Sequence, residues 1–75
     1  MNKHELVRVL ESTDFPKDSY SIDEVSDESL CLFHEGKTWR IFYSERGQRT
    51  EERSYPDEAE ACSEFFERLK HMLGR

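Results

Sequence analysis

The stretch "ESLCLFHEGKTWRIFYSERG", residues 28–47, decides the fold, because it contains two apolar runs separated by a short polar segment. The runs "ESLCLFH" and "TWRIFYS" are rich in residues that favour strands. Between them lies a Glu-Gly pair at positions 35–36, and a two-residue turn with Gly second is a standard hairpin signal. The stretch therefore predicts a β-hairpin.

The turn also predicts which side chains face each other across the hairpin. A turn at positions 35–36 places Leu32 opposite Trp39 and Leu30 opposite Ile41. All four side chains then share one face of the sheet. Turn chemistry and hydrophobic pattern agree on this hairpin, and a slip of one residue would break the agreement.

The second strand of the hairpin carries a large aromatic side chain on each face. Alternation places Trp39, Ile41 and Tyr43 on one side, and Arg40 and Phe42 on the other. The first face can bury against the rest of the chain. For the second face three possibilities stay open: a partner-binding surface, a cover formed by the N-terminal helix, or pairing of two copies.

Weaker patterns place the elements before the hairpin. Leu6 and Leu10 recur at helical spacing after an N-cap at Asn2, which predicts a helix to about Ser12. The apolar alternation in residues 20–22 predicts a short strand before a loop.

The stretch "QRTEERS" at residues 48–54 predicts a charged edge strand after a second turn. That turn is either a three-residue loop with Gly47 in the left-handed conformation or a two-residue loop at Arg46 and Gly47. Alternating charge on an edge discourages aggregation between sheets.

The last helix is the clearest element of the sequence. Ser54 and Asp57 have the spacing of a capping box, with Pro56 tolerated in the first turn. The apolar stripe of this helix, which we expect to pack on the Trp39 face, comprises Cys62, Phe65, Phe66, Leu69, Met72 and Leu73.

Together these elements predict a single α+β domain over residues 1–75. It would have an N-terminal helix, a three- to four-stranded antiparallel meander sheet, and a C-terminal amphipathic helix packed on one sheet face.

The charge of the chain bears on its partners. Seventeen acidic and eleven basic side chains give a formal net charge of −6, and the excess of acids lies in residues 1–37. Such a charge repels phosphate backbones and anionic lipids and speeds association with basic proteins. The chain has no apolar run long enough for a signal peptide or for the roughly 18 residues of a membrane span, so we expect a cytoplasmic protein.

Residues that could carry chemistry are scattered. Cys31 and Cys62 lie in apolar segments without a CxxC pattern, which predicts buried free thiols. His4, His34 and His71 lie on different predicted elements and lack the spacing of a helical metal site. A chain this short also offers little depth for a desolvated catalytic pocket. We therefore expect no enzymatic activity, no cofactor and no metal.

The order of helix, strands and helix also fits the double-stranded RNA-binding domain. That module contacts phosphates from the start of its last helix. Here the corresponding stretch "YPDEAEAC" presents Asp57, Glu58 and Glu60, which disfavour a nucleic acid ligand.

Protein binding is the remaining function class. The second sheet face combines aromatic residues and arginine with a rim of acids, which is the composition of an interface. The candidate partner-binding residues are Asp23, Glu24, Asp27, Glu28, Phe33, Arg40, Phe42, Glu51 and Glu52.

The run "ESLCLFHEGKTWRIFYSERG", followed by the acid-rich "DEAEACSEFFERL", resembles the small acidic immunity proteins of bacterial polymorphic-toxin and contact-dependent growth inhibition systems. The resemblance covers roughly residues 20–69. It implies a cytoplasmic, non-catalytic antitoxin that covers the active site or substrate groove of one cognate toxin domain, often a nuclease. The alternative is a small adaptor or regulator, acting as a monomer or as a homodimer through the Phe33 and Phe42 face.

Overall fold

The computed structural model describes residues 1–74 and confirms the α+β fold. One helix precedes the four strands of the sheet in the chain, and the other follows them. A short 3-10 turn, Lys17–Ser19, follows the first helix. The elements are α1 (Lys3–Ser12), β1 (Tyr20–Ile22), β2 (Ser29–Glu35), β3 (Thr38–Glu45), β4 (Gln48–Tyr55) and α2 (Glu58–Met72).

The sheet is mixed, which corrects the expected all-antiparallel meander. Strands β2, β3 and β4 form an antiparallel meander, but β1 pairs with β2 in parallel, with Tyr20 beside Leu30 and Ile22 beside Leu32. Parallel neighbours require the chain to cross back over the sheet before the second strand begins. Residues 23–28 make this return, and we call them the crossover loop.

The hairpin register differs from the predicted one by two residues. Leu32 pairs with Ile41, and the residue opposite Trp39 is His34, whose ring stacks on the indole with centroids 4.1 Å apart. The turn lies one position later than predicted and begins at Gly36, where a φ of 63° favours glycine. A shift of two residues leaves every side chain on its predicted face, so hydrophobic alternation could not detect it.

The turn between β3 and β4 is the shorter of the two predicted loops. Arg46 and Gly47 are its two central residues, with φ of 51° and 77°. Positive φ at both central residues is the pattern of the type I′ turn, whose twist matches that of the flanking strands.

A β-bulge interrupts β4 opposite Phe42. Ile41 pairs with Arg53 and Tyr43 with Thr50, so residues 51–52 together oppose a single residue of β3. Because β4 has one extra residue here, its side chains before and after the bulge do not follow one continuous alternation between the two faces of the sheet. As a result, Glu51 turns towards α2, while Glu52 lies on the opposite face of the sheet.

Both helices lie on the Trp39 face of the sheet. The apolar stripe of α2 is confirmed for its buried members, although Phe66 and Leu73 are only partly buried and Met72 is 41% exposed. The core cluster that joins the helices to the sheet comprises Leu6, Leu10, Phe15, Leu30, Leu32, Trp39, Ile41, Ala61, Cys62, Phe65 and Leu69.

The helix starts are fixed by side-chain caps. The predicted Asn2 cap is confirmed, and Glu5 completes a capping box with it. The cap of α2 is Asp57 rather than Ser54, because the helix begins only at Glu58 and Asp57 accepts a hydrogen bond from the Glu60 amide at 3.0 Å. Pro56 accordingly precedes this cap instead of lying in the first turn.

The bulge yields a test of backbone strain. Glu51 has a φ of 52°, a left-handed conformation that costs a non-glycine residue about 1 kcal/mol, whereas Glu52 has no positive φ. We expect Glu51→Gly to raise the free energy of unfolding by about 1 kcal/mol. Urea unfolding would measure the change.

Glu52→Gly is the matched control, since it removes the same charge from the neighbouring position. This variant loses the contacts of Glu52 with Arg40 and Arg49, both at 3.4 Å, so it should be destabilised. Equal effects of the two substitutions would contradict the assignment of strain to the bulge.

Candidate functional site

Phe42, a candidate anchor for a partner on the second face, is fully buried and is not available for such a contact. The guanidinium of Arg49 lies over its ring, with the Cζ atom 4.3 Å from the ring centroid. Across the hairpin, Phe42 pairs with Cys31, which is equally buried. Helix α1 does not form this cover, because Leu6 and Leu10 pack into the core on the other side of the sheet.

The crossover loop covers the adjoining part of this second face. The backbone carbonyl of Ser26 lies 3.8 Å from the Cys31 sulfur and accepts a hydrogen bond of 2.8 Å from the Ser29 hydroxyl. Ser29 is itself fully buried. The face opposite the helices is therefore closed over its centre by a loop and an arginine side chain.

The remaining part of the second face is polar and internally paired. Arg40 lies between two carboxylates, with its Nε 3.0 Å from Glu35 and its Nη1 3.4 Å from Glu52. Nη1 also donates to the Ser54 hydroxyl at 3.2 Å. The Nε atom is buried and makes no hydrogen bond despite the nearby carboxylate. Phe33, next to Arg40 across the hairpin, is half-buried.

The crossover loop is tied to the rest of the fold at both ends. Asp23 accepts a hydrogen bond of 2.8 Å from the Lys3 ammonium, and this bond raises the pKa of Lys3. Asp27 accepts a bond of 2.7 Å from the Arg46 amide in the β3–β4 turn. The Glu28 amide donates to the Ser44 carbonyl at 2.6 Å. These bonds connect the loop to α1, to the β3–β4 turn and to β3.

The outer side of the same loop combines free acids with an apolar residue. Val25 is 49% exposed, which is unusual among the large apolar residues of the described chain. Within residues 1–74, the side chains of Glu24 and Glu28 make no ion pair or hydrogen bond. Asp23 and Glu28 both have positive φ, at 71° and 55°. We call the outer side of residues 23–28 the loop surface.

The predicted partner-binding residues thus separate into three places. Asp23, Glu24, Asp27 and Glu28 come together on the loop surface. Phe33, Arg40 and Glu52 lie on the polar part of the second face, with Phe42 buried beneath Arg49. Glu51 alone turns to the helix side, 4.0 Å from Arg68.

Sequence reasoning missed Val25 as part of this site. The available signal was a single apolar residue flanked by acids in "DEVSDE". Its position inside a polar loop did not show whether the Val25 side chain would point towards the sheet or towards solvent.

Burial, reinforced by the charge of Glu58, raises the pKa of the Cys62 thiol to about 11, which disfavours the reactive thiolate at neutral pH. Residues 1–74 contain no group of three potential ligands arranged to hold a metal ion. In the same range neither helix has the length and apolar character needed to cross a bilayer.

No family model, curated protein or solved structure matches this chain.

Burial of Phe42 predicts a stability difference between the two aromatic residues of the second face. Phe42→Leu removes packing from a filled site and should lower the free energy of unfolding by about 1 kcal/mol. Phe33→Leu, at a half-buried position of the same face, should change it by less than about 0.5 kcal/mol. Urea unfolding of the two variants compares them, and a larger loss from Phe33→Leu would contradict the assigned burial.

The raised pKa of Cys62 predicts a loss of stability at alkaline pH. The Cys62 thiol has a pKa of 9.0 in the unfolded chain and of about 11 in the folded chain. Its contribution to the free energy of unfolding is therefore constant below pH 8 and falls as the pH rises from 9 to 11. The stability of the wild type relative to Cys62→Ala should fall by about 2 kcal/mol between pH 8 and pH 10.5. A difference that does not change with pH would disprove this linkage.

Proposed function

We propose that this domain is a protein-binding inhibitor, an immunity protein that neutralises a basic toxin domain in the cytoplasm. The observation that carries the proposal is the loop surface, where exposed Val25 lies between the unpaired acids Glu24 and Glu28 in sequence, on a loop that is hydrogen-bonded to α1, to the β3–β4 turn and to β3. An apolar centre within a polar rim is the composition of a protein interface.

The hydrogen bonds and backbone angles of the loop support a role in recognition. Non-glycine residues with positive φ are strained, and such strain is maintained where the surrounding structure imposes it, often at binding sites. Here two of them, Asp23 and Glu28, stand at the two ends of the crossover loop. A surface that is already ordered loses little conformational entropy on binding, so more of the contact energy appears as affinity.

Electrostatics supplies the specificity in this proposal. The acids of the loop surface present carboxylates where a nuclease toxin would bind the phosphates of its substrate. Opposite charge on the toxin attracts them and accelerates association, with a rate that falls as salt screens the charges. Val25 then packs against the toxin once the two surfaces meet. The domain acts by covering the substrate groove and performs no chemistry itself.

The alternative of an adaptor or homodimer that uses the Phe33 and Phe42 face is less well supported. Phe42 is buried under Arg49, and Arg40 is already paired with two carboxylates. The face therefore offers one half-buried aromatic residue in place of an exposed aromatic pair. Double-stranded RNA is disfavoured by the acids at the start of α2, where Asp57 serves as the cap.

A charge-reversal experiment tests the loop surface. The partner would be the product of the gene directly upstream, with rescue of growth on co-expression as the first measurement. We expect the double variant Glu24→Lys/Glu28→Lys to slow association about tenfold and to weaken its dependence on salt. Both side chains are exposed, and none of the hydrogen bonds or ion pairs of the described residues involves them, so stability should be nearly unchanged.

Glu11→Lys/Glu64→Lys is the matched control, because it makes the same change in net charge at exposed helix positions. Its association rate should stay much closer to that of the wild type. Equal slowing by both double variants would show that only total charge matters, and no slowing by either would refute an electrostatic interface.

A further inference from the structure

The two covers of the sheet bury different kinds of side chain. On the helix side the core consists of large apolar side chains, among them Leu32, Ile41 and Phe65. Beneath the crossover loop the fully buried side chains are small, namely those of Ser29 and Cys31. Exposing large apolar side chains to water costs far more free energy than exposing a hydroxyl or a thiol. The crossover loop is therefore the weaker of the two covers.

The crossover loop buries no side chain of its own. All residues from 23 to 28 are exposed, and the one apolar residue among them, Val25, is 49% exposed. The loop contacts the sheet below it through polar groups. The Ser26 carbonyl accepts a hydrogen bond of 2.8 Å from the Ser29 hydroxyl and lies 3.8 Å from the Cys31 sulfur. Water replaces such partners when a loop moves away, which lowers the cost of opening.

Two side-chain contacts attach the loop to neighbouring elements. The pair of Lys3 and Asp23 is open to solvent, with side chains 39% and 50% exposed, and an ion pair of this kind contributes little. The Asp27 carboxylate accepts a hydrogen bond of 2.7 Å from the Arg46 amide. This second contact latches the loop to the β3–β4 turn.

The backbone has a strained residue at each end of the loop. Asp23 and Glu28 have φ of 71° and 55°, which is unfavourable for residues other than glycine. Both residues can return to an ordinary φ when the loop leaves the sheet, so opening relieves strain. The strands beneath stay paired, because Cys31 lies between Ser21 of β1 and Phe42 of β3 in the sheet.

We propose that the crossover loop opens as a lid on the folded domain, while the sheet and both helices stay in place, and that this opening exposes the Cys31 thiol. Proteins open in local units whose free energies lie well below that of global unfolding. Cys62 belongs to the core cluster between the helices and the sheet, so it becomes accessible only when the domain unfolds. The two cysteines therefore report separately on the lid and on the whole fold.

Labelling of the full chain with iodoacetamide tests the lid. The reagent is uncharged, and tryptic peptides separate the two thiols, since several Lys and Arg residues lie between them. Between 0 and about 1 M urea, labelling of Cys31 should keep a nearly constant rate, because a local opening exposes little surface. Labelling of Cys62 should accelerate severalfold. Equal acceleration of both thiols, or labelling of Cys31 as fast as in the unfolded chain, would overturn the proposal.

A core variant distinguishes opening of the lid from unfolding. Leu69→Val shortens a fully buried side chain of α2, which destabilises the closed and the open lid equally relative to the unfolded chain. Labelling of Cys62 should therefore rise about fivefold, and labelling of Cys31 should stay unchanged. A rise of the same size at both thiols would show that Cys31 is reached only through unfolding.

Two further variants test the latch at Asp27. Asp27→Ala should speed labelling of Cys31 about tenfold, because the closed lid loses the hydrogen bond from the Arg46 amide. Asp27→Asn keeps an acceptor oxygen and should restore much of the protection. Glu24→Ala is the matched control, since it removes one acid from the same loop at a side chain without a hydrogen bond in the described residues. An equal effect of Asp27→Ala and Glu24→Ala would refute the latch.

Opening of the lid also regulates the loop surface, a consequence that rests on the proposed function. Val25 and the free acids are presented together only while the loop is closed, so a bound partner should slow labelling of Cys31. The labelling experiments use the domain alone and need no partner. Their failure therefore leaves the charge-reversal experiment on Glu24 and Glu28 to decide the inhibitory function.

Discussion

The need to bury large side chains on both faces of β3 organises the whole structure. Ile41 and Phe42 are neighbours in sequence, point to opposite sides of the sheet, and are both fully buried. A single layer of helices can cover only one side of a sheet. The chain therefore needs a second cover, and the crossover loop with Arg49 provides it from local segments. This cover is linked to the parallel pairing of β1 with β2. Between two parallel strands the chain must run back to the start of the second strand, and residues 23–28 do so across that face.

This second cover links stability to the proposed function. The inner side of the crossover loop shields Cys31 and Ser29, while its outer side presents Val25 and the free acids. The contacts that hold the loop over the sheet thereby also fix the geometry of the acidic surface. The strained φ values at Asp23 and Glu28 belong to the same arrangement, since a short connection between parallel strands must turn sharply at both ends.

The bulge in β4 divides the surface chemistry between the two sides of the molecule. Because residues 51–52 both oppose Phe42, Glu52 joins the paired charges around Arg40, and Glu51 reaches towards Arg68 on the helix side. The domain measures 31 × 30 × 18 Å, so these sides are separated by little more than one layer of helix and one of sheet.

The sequence by itself determined the class of the fold, the hairpin, the face of each hairpin residue, and the helix stripe that packs on Trp39, because hydrophobic period and turn residues are local signals. Of the candidate partner-binding residues, the acids of residues 23–28 lie together on one loop, whereas Phe42 and Glu51 lie elsewhere. Only the tertiary structure decided the hairpin register, the direction of β1, the burial of Phe42 and the separation of Glu51 from Glu52. A shift of two residues keeps every side chain on its face. The bulge and the position of Arg49 over Phe42 depend on how β3 pairs with β4, which the pattern of either strand alone does not specify.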